Sequence, residues 1–146
     1  MLFTDDRNRS RELFRSAWRK RLAGEPLEPL EKQVATLVEE HPEYQPMLLR
    51  GDDVLDRDFG PDSAGENPFL HLGLHLALRE QVGTDRPAGI RDVTRALLLK
   101  YGNGGDGGHD VEHRMIEVLG QSLWEAQRQS RAPDEAAYLE RLRELL

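Results

Sequence analysis

Five histidines carry most of the chemistry open to this chain, and four of them form two pairs spaced four apart: His71 with His75, and His109 with His113. The fifth, His41, precedes Pro42. Residues four apart on a helix share one face, a turn apart. Two imidazoles so placed can grip a metal ion from one side, while a histidine and a carboxylate from a facing helix close on it from the other. Glu112, directly before His113, is the carboxylate that fits. The expected ligands are therefore His71, His75, His113 and Glu112, with His41 or His109 completing the shell. The chain has no cysteine, so the donors are imidazole and carboxylate alone, a set that suits iron, zinc, manganese or nickel.

Other chemistries fit less well. Glu80 lies about half a turn around the helix from His71, and Glu39 and Glu40 flank an apolar stripe, so none of the three joins the set. The Glu-x-x-His spacing of di-iron bundles is missing, which favours one metal over two. Ser10, Ser16, Ser63, Ser122 and Ser130 sit in no nucleophile-elbow context. His109-Asp110 matches the dipeptide of all-α metal-dependent phosphohydrolases, without the further His and Asp spacing that such a site needs. Residues 102–108 lack the alternating carboxylates and terminal glutamate of a calcium loop and read as a linker. No catalytic residue is assigned, and whether the chain is an enzyme stays open.

The elements that must position these side chains read as helices throughout. Leu13, Phe14, Ala17, Trp18 and Leu22 recur at helical spacing over 5–22, and Gly24 stops that helix. Pro29 opens a second, with Leu30, Val34, Leu37, Val38 and His41 on its inner face before Pro42 ends it. Residues 42–66 are irregular, with a short helix near 43–50. Asn67 caps and Pro68 opens a helix that runs to Gly83, uncharged from Phe69 to Leu78 and apolar on every face, hence buried. Helices follow over 87–101 and 109–129, with Glu112 turned into the apolar arc of the second, and a last one starts at Pro133-Asp134-Glu135. With no strand pattern, the expected architecture is an all-α, single-domain bundle of five or six helices spanning residues 1–146.

Composition narrows the class. The chain is 38% hydrophobic and 32% charged, a mix suited to helices with charge-laced outer faces. Met1-Leu2-Phe3-Thr4 leads straight into charges and no apolar run reaches about 20 residues, so no signal peptide or membrane span is expected, and the cytoplasm is the default location. A net charge of −7 argues against a general nucleic-acid binder. Arg7, Arg9, Arg11, Arg15, Arg19, Lys20 and Arg21 nevertheless crowd the first helix. Such a stripe either pairs with the acidic remainder of the fold or meets an acidic partner. The last helix would allow a homodimer without requiring one.

The segments His41-Pro42-Glu43-Tyr44, Asn67-Pro68-Phe69-Leu70-His71-Leu72-Gly73-Leu74-His75, Asp85-Arg86-Pro87, Glu112-His113-Arg114-Met115 and Leu123-Trp124-Glu125-Ala126-Gln127 resemble a small bacterial family known only as a domain of unknown function. The resemblance spans nearly the whole chain and implies no activity. A histidine ending helix two and an H-x-x-x-H on the next long helix are also similar to four-helix metal-dependent thiol transferases and damage-inducible bundle proteins. The Glu112-His113 cluster departs from that pattern.

The sequence thus supports a helical bundle that binds one transition-metal ion, with a small metal-dependent hydrolase or transferase as the catalytic form of that reading. The alternative is a non-catalytic interaction module whose histidines are core hydrogen-bonders and whose working surface is the basic first helix or the segment 42–66. A third reading is a switch driven by titration of buried histidines near pH 6.

Overall fold

The computed structural model describes the backbone of residues 2–49, 67–102 and 107–146, and the side chains of residues 9–49, 67–102 and 108–146. The irregular stretch 50–66, the linker residues 103–106 and the side chain of Arg7 lie outside the described residues. Among those described, every element is helical: α1 (Leu2–Ala23), α2 (Pro29–Glu39), a 3-10 turn (Pro42–Tyr44), α3 (Gln45–Leu48), α4 (Pro68–Thr84), α5 (Ile90–Tyr101), α6 (Gly107–Arg128) and α7 (Glu135–Arg143). The all-α class is as expected. The described residues hold seven α-helices against the five or six expected, the single turn of α3 counting as an element of its own. None of the described helices is long and apolar enough to cross a membrane. The chain forms two compact units, Met1–Leu76 and Ala77–Leu146, and the division falls within α4.

In the first unit, α1 and α2 pack through Phe14, Ala17 and Trp18 on one side and Val34, Ala35, Leu37 and Val38 on the other, with Leu48, Phe69 and Leu72 in the same core. Gly24, at φ +72°, ends α1 in a left-handed conformation that costs a residue without Cβ little. Pro29 starts α2, and Glu28 and Glu31 close a reciprocal capping box there, which satisfies helix-end N–H groups that have no partner inside the helix. Lys20 donates to Glu31 at 2.7 Å and Arg21 to Glu39 at 2.6 Å, tying α1 to α2. Two residues placed on the inner stripes, Leu22 and Leu30, are instead exposed. They flank the α1–α2 turn, beyond the middle of the helix pair where the buried side chains cluster.

Asn67 caps α4 as expected, its side-chain oxygen accepting from the backbone N–H groups of Phe69 and Leu70. The even spread of leucines predicted burial on all sides of this helix. Leu72 is fully buried and Phe69 nearly so, but Leu70 is 41% exposed, so the apolar run overstates its burial.

In the second unit, Leu78, Ile90, Val93, Leu97, Val111, Met115, Ile116, Leu119, Tyr138, Leu139 and Leu142 are buried. The turn from α4 to α5 rests on Asp85. Gly83 is still helical, and Asp85 turns the chain at φ +53°. Its carboxylate accepts from the backbone N–H groups of Gly89 and Arg91, at 3.2 and 3.0 Å. Arg91 reaches back to the Val82 and Gly83 carbonyls at the end of α4. The left-handed Gly89, at φ +103°, delays the start of α5 to Ile90 rather than the expected residue 87. Asp134 caps α7 by accepting from the Ala137 N–H at 3.0 Å.

Replacing Asp85 by Ala should lower stability by about 1–3 kcal/mol, since one charged side chain serves two backbone donors at a helix start; denaturant midpoints measure this. A second outcome concerns pH. The Lys20 ammonium, and then a hydrogen bond from the Glu28 backbone, hold the Glu31 carboxyl below its ordinary value, while Glu31 raises Lys20. The contribution of Glu31 is complete above the ordinary carboxylate range and is lost as pH falls through its lowered value. That of Lys20 is complete below the ordinary lysine value and is lost as pH rises through its raised one. The stability gap between the parent and Lys20→Met should therefore be open at pH 7 and close in acid, as read from unfolding midpoints across pH.

Candidate metal centre

The first unit gathers three of the five histidines. α4 puts His71 and His75 one turn apart on one face, as their spacing requires. Their Nε2 atoms lie 3.1 Å apart, so in this arrangement one ring donates its N–H to the other. His41 arrives from a different element. Helix α2 ends at Glu39, so His41 sits two residues past the helix rather than on its inner face, as the first residue of the turn that Pro42 opens. It is nonetheless 2% exposed. Its ring centroid is 5.1 Å from that of His71 and 4.7 Å from that of His75.

The tautomer of His41 follows from its partner. Nδ1 lies 2.8 Å from the Leu37 carbonyl oxygen, which can only accept. Nδ1 therefore carries the proton, and in the neutral ring Nε2 keeps the lone pair that a metal would use. A carbonyl behind a histidine in this way is the usual means of fixing a ligand ring. Tyr44 supplies a wall that the spacing of the histidines gave no reason to include. Its ring stacks on His41 at 5.6 Å and 5°, and meets His71 edge-on at 5.9 Å. Burial, and to a smaller degree the Glu43 carboxylate, push its hydroxyl above the ordinary tyrosine value, so Tyr44 is a neutral phenol at physiological pH. Its place three residues after His41, across a 3-10 turn, was the available signal.

The spacing of His71 and His75 is one that a shared metal ion could take. With metal–nitrogen bonds of about 2.0–2.1 Å, two ligand nitrogens are roughly 3.3 Å apart in a tetrahedral shell and roughly 2.9 Å apart at a right angle. The observed separation of 3.1 Å lies between the two.

The second unit holds the other pair. The His109 and His113 rings meet edge-to-face with centroids 4.1 Å apart on the first turns of α6. Glu112 turns inward as expected, but Arg79 on α4 claims it: the guanidinium Nε lies 3.1 and 3.3 Å from the two carboxylate oxygens. Asp110, the partner of His109 in the dipeptide, pairs outward with Arg114 at 3.2 Å. In the first unit, the imidazole nitrogens of His41 and His75 are donors that could hold a metal ion.

The basic stripe expected on α1 is split: Arg9 and Arg19 are exposed, but two of its arginines point inward. Arg11 is 4% and Arg15 2% exposed. The Arg11 guanidinium lies over the Phe69 ring at 4.8 Å, and Arg15 reaches Glu12 at 3.4 Å. At helical spacing both side chains share the face that carries Phe14 and Trp18 inward, so the charged heads follow their stems into the core. Lys20 and Arg21 are occupied by Glu31 and Glu39.

A family model described as a domain of unknown function (DUF1841) matches residues 6–144. The chain belongs to that family, which brings no assigned activity. No curated protein and no solved structure matches the chain.

Reversing the charge at Arg15 should act on folding rather than on surface binding. Arg15→Glu is expected to cost about 3–5 kcal/mol, as a buried charge losing its partners does. Arg9→Glu, at an exposed position of the same helix, should stay within about 0.5 kcal/mol. Equilibrium unfolding of the two variants checks the contrast.

Proposed function

We propose that this family member holds one transition-metal ion, iron, zinc, manganese or nickel, on the imidazoles of His41, His71 and His75. His109 and His113, expected among the ligands from the sequence, lie in the second unit and are not part of this reading. Glu112, the carboxylate expected among the ligands, stays in its ion pair with Arg79. The observation that carries the reading is the 3.1 Å separation of the His71 and His75 Nε2 atoms, beside a buried His41 whose tautomer leaves Nε2 as the coordinating nitrogen. Two buried imidazoles, His41 and His75, with the half-buried His71 turned to both, are hard to explain by packing alone, since the buried pair brings polar nitrogens into a core built of leucine, valine and phenylalanine.

The chain's own residues do two things here. Leu37 orients His41 through its carbonyl, and Tyr44 covers the His41 ring face and the His71 edge, limiting the directions from which water enters. Bound there with a position left open, the ion supplies Lewis acidity or water activation, the chemistry of a small metal-dependent hydrolase or transferase. With a closed shell it is structural. The rival reading, an interaction module working through the basic first helix, loses support because Arg11 and Arg15 are buried.

Elemental analysis of untagged protein purified without chelator is the test. Near-stoichiometric iron, zinc, manganese or nickel is expected in the parent and less than a tenth of it in His71→Ala/His75→Ala. Full retention of metal is expected in His109→Ala/His113→Ala, whose histidines lie in the second unit, and its loss would overturn the three-imidazole set. A parent that takes up none of the four ions after reconstitution, while folded by circular dichroism, would overturn the proposal.

A further inference from the structure

Away from the histidines, the second unit contains a cleft of about 390 Å³, within the range of about 300–1,000 Å³ typical of small-molecule pockets. Its origin lies in residue choice. Ala77, Glu80, Gln81 and Thr84 follow one another at i, i+3, i+4 and i+7, one stripe of α4, and all four line the cleft. A helix that packs tightly puts large apolar residues on such a stripe. Here they are short or polar, so the space between this stripe, α6 and the start of α7 stays unfilled.

The lining has three chemical parts. Leu119 and Leu123 of α6, with Pro87 and Pro133, make apolar walls. At the floor, the nearly buried Tyr138 donates its hydroxyl to the Gln81 side-chain oxygen at 2.7 Å. Burial holds that phenol far above its ordinary value, so it stays neutral. The bond fixes the Gln81 carboxamide, whose N–H groups have no partner among the described residues. Around the mouth stand Glu80, Glu135 and Arg86, none of them in an ion pair among the described residues.

A mouth with both signs of charge selects against simple ions. Arg86 repels a plain amine, and the two glutamates repel a plain carboxylate. A molecule carrying both groups on an apolar body satisfies all three parts of the lining. We propose that this cleft binds a small zwitterionic α-amino acid with an apolar side chain, its ammonium taken by Glu80 and Glu135 and its carboxylate by Arg86. Gln81 serves as a neutral donor beneath the carboxylate, and the leucine and proline walls hold the side chain. The site shares no residue with the histidine clusters and is independent of the metal reading.

Calorimetric titration of the full chain with L-leucine, isopentylamine and 4-methylpentanoate tests this, because the two analogues each lack one charged group. Leucine is expected to bind at least tenfold more tightly than either. Arg86→Gln should cut leucine affinity about tenfold and leave the amine unchanged or improved. Glu80→Gln/Glu135→Gln should weaken leucine and leave 4-methylpentanoate unchanged or improved. Ser122→Trp, which fills the cleft from α6, should abolish binding while circular dichroism stays that of the parent. Equal or tighter binding of the amine would overturn the zwitterion assignment. No heat and no chemical-shift change with leucine up to tens of millimolar would overturn the site itself.

Discussion

An imidazole placed among leucines must find partners for its ring nitrogens, and the first unit meets that demand at the buried His41 and His75, with the half-buried His71 as a partner to His75. His41 gives its Nδ1 proton to the Leu37 carbonyl, one of the last carbonyls of α2, which the ending helix leaves without an intrahelical partner. A single contact thus satisfies a helix terminus and sets a tautomer. The same contact explains why α2 must stop where it does. Pro42 prevents the helix from continuing, the chain turns at His41, and the ring folds back over the helix end instead of extending along its face.

The two kinds of buried charge-bearing group in this protein meet that demand differently. The histidines are compact and can be neutral, so they sit inside next to one another and to Tyr44. Arg11 and Arg15 cannot be neutral. Their long stems let them enter the core beside Phe14 and Trp18, and Arg11 lies over an aromatic face, which favours a guanidinium that has lost water. A helix that looks basic from its composition is in this way partly basic on the inside.

The second unit shows how ion pairs assign carboxylates to roles. Glu112, the carboxylate expected among the metal ligands, is held by Arg79, whose Nε reaches both of its oxygens. Glu80 and Glu135, by contrast, line a cleft with no ion-pair partner among the described residues. Asp85 and Arg91 do architectural work, each capping one side of the turn between α4 and α5. The Asp85-Arg86-Pro87 segment therefore combines a structural residue, Asp85, with one whose guanidinium is left for solvent or a ligand, Arg86.

Local chemistry made much of this legible from the sequence. Gly24, Pro29, Asn67, Gly102 and Asp134 mark helix ends because caps and breakers act through neighbouring backbone atoms. The pairing of His71 with His75 follows from helix pitch alone, as the helical character of the described elements follows from the hydrophobic periodicity. What the sequence could not reveal depends on contacts between distant residues. Whether Leu22, Leu30 and Leu70 are covered, whether Arg11 and Arg15 point in or out, and whether Glu112 meets a metal or an arginine are all decided by what the neighbouring helices present. His41 shows the boundary most clearly. Its burial and its place among the candidate partners of the α4 histidines were readable, but its seat beyond the helix end, stacked on Tyr44, was not. Periodicity records which face of one helix avoids water, and only the packing of several helices determines what that face touches.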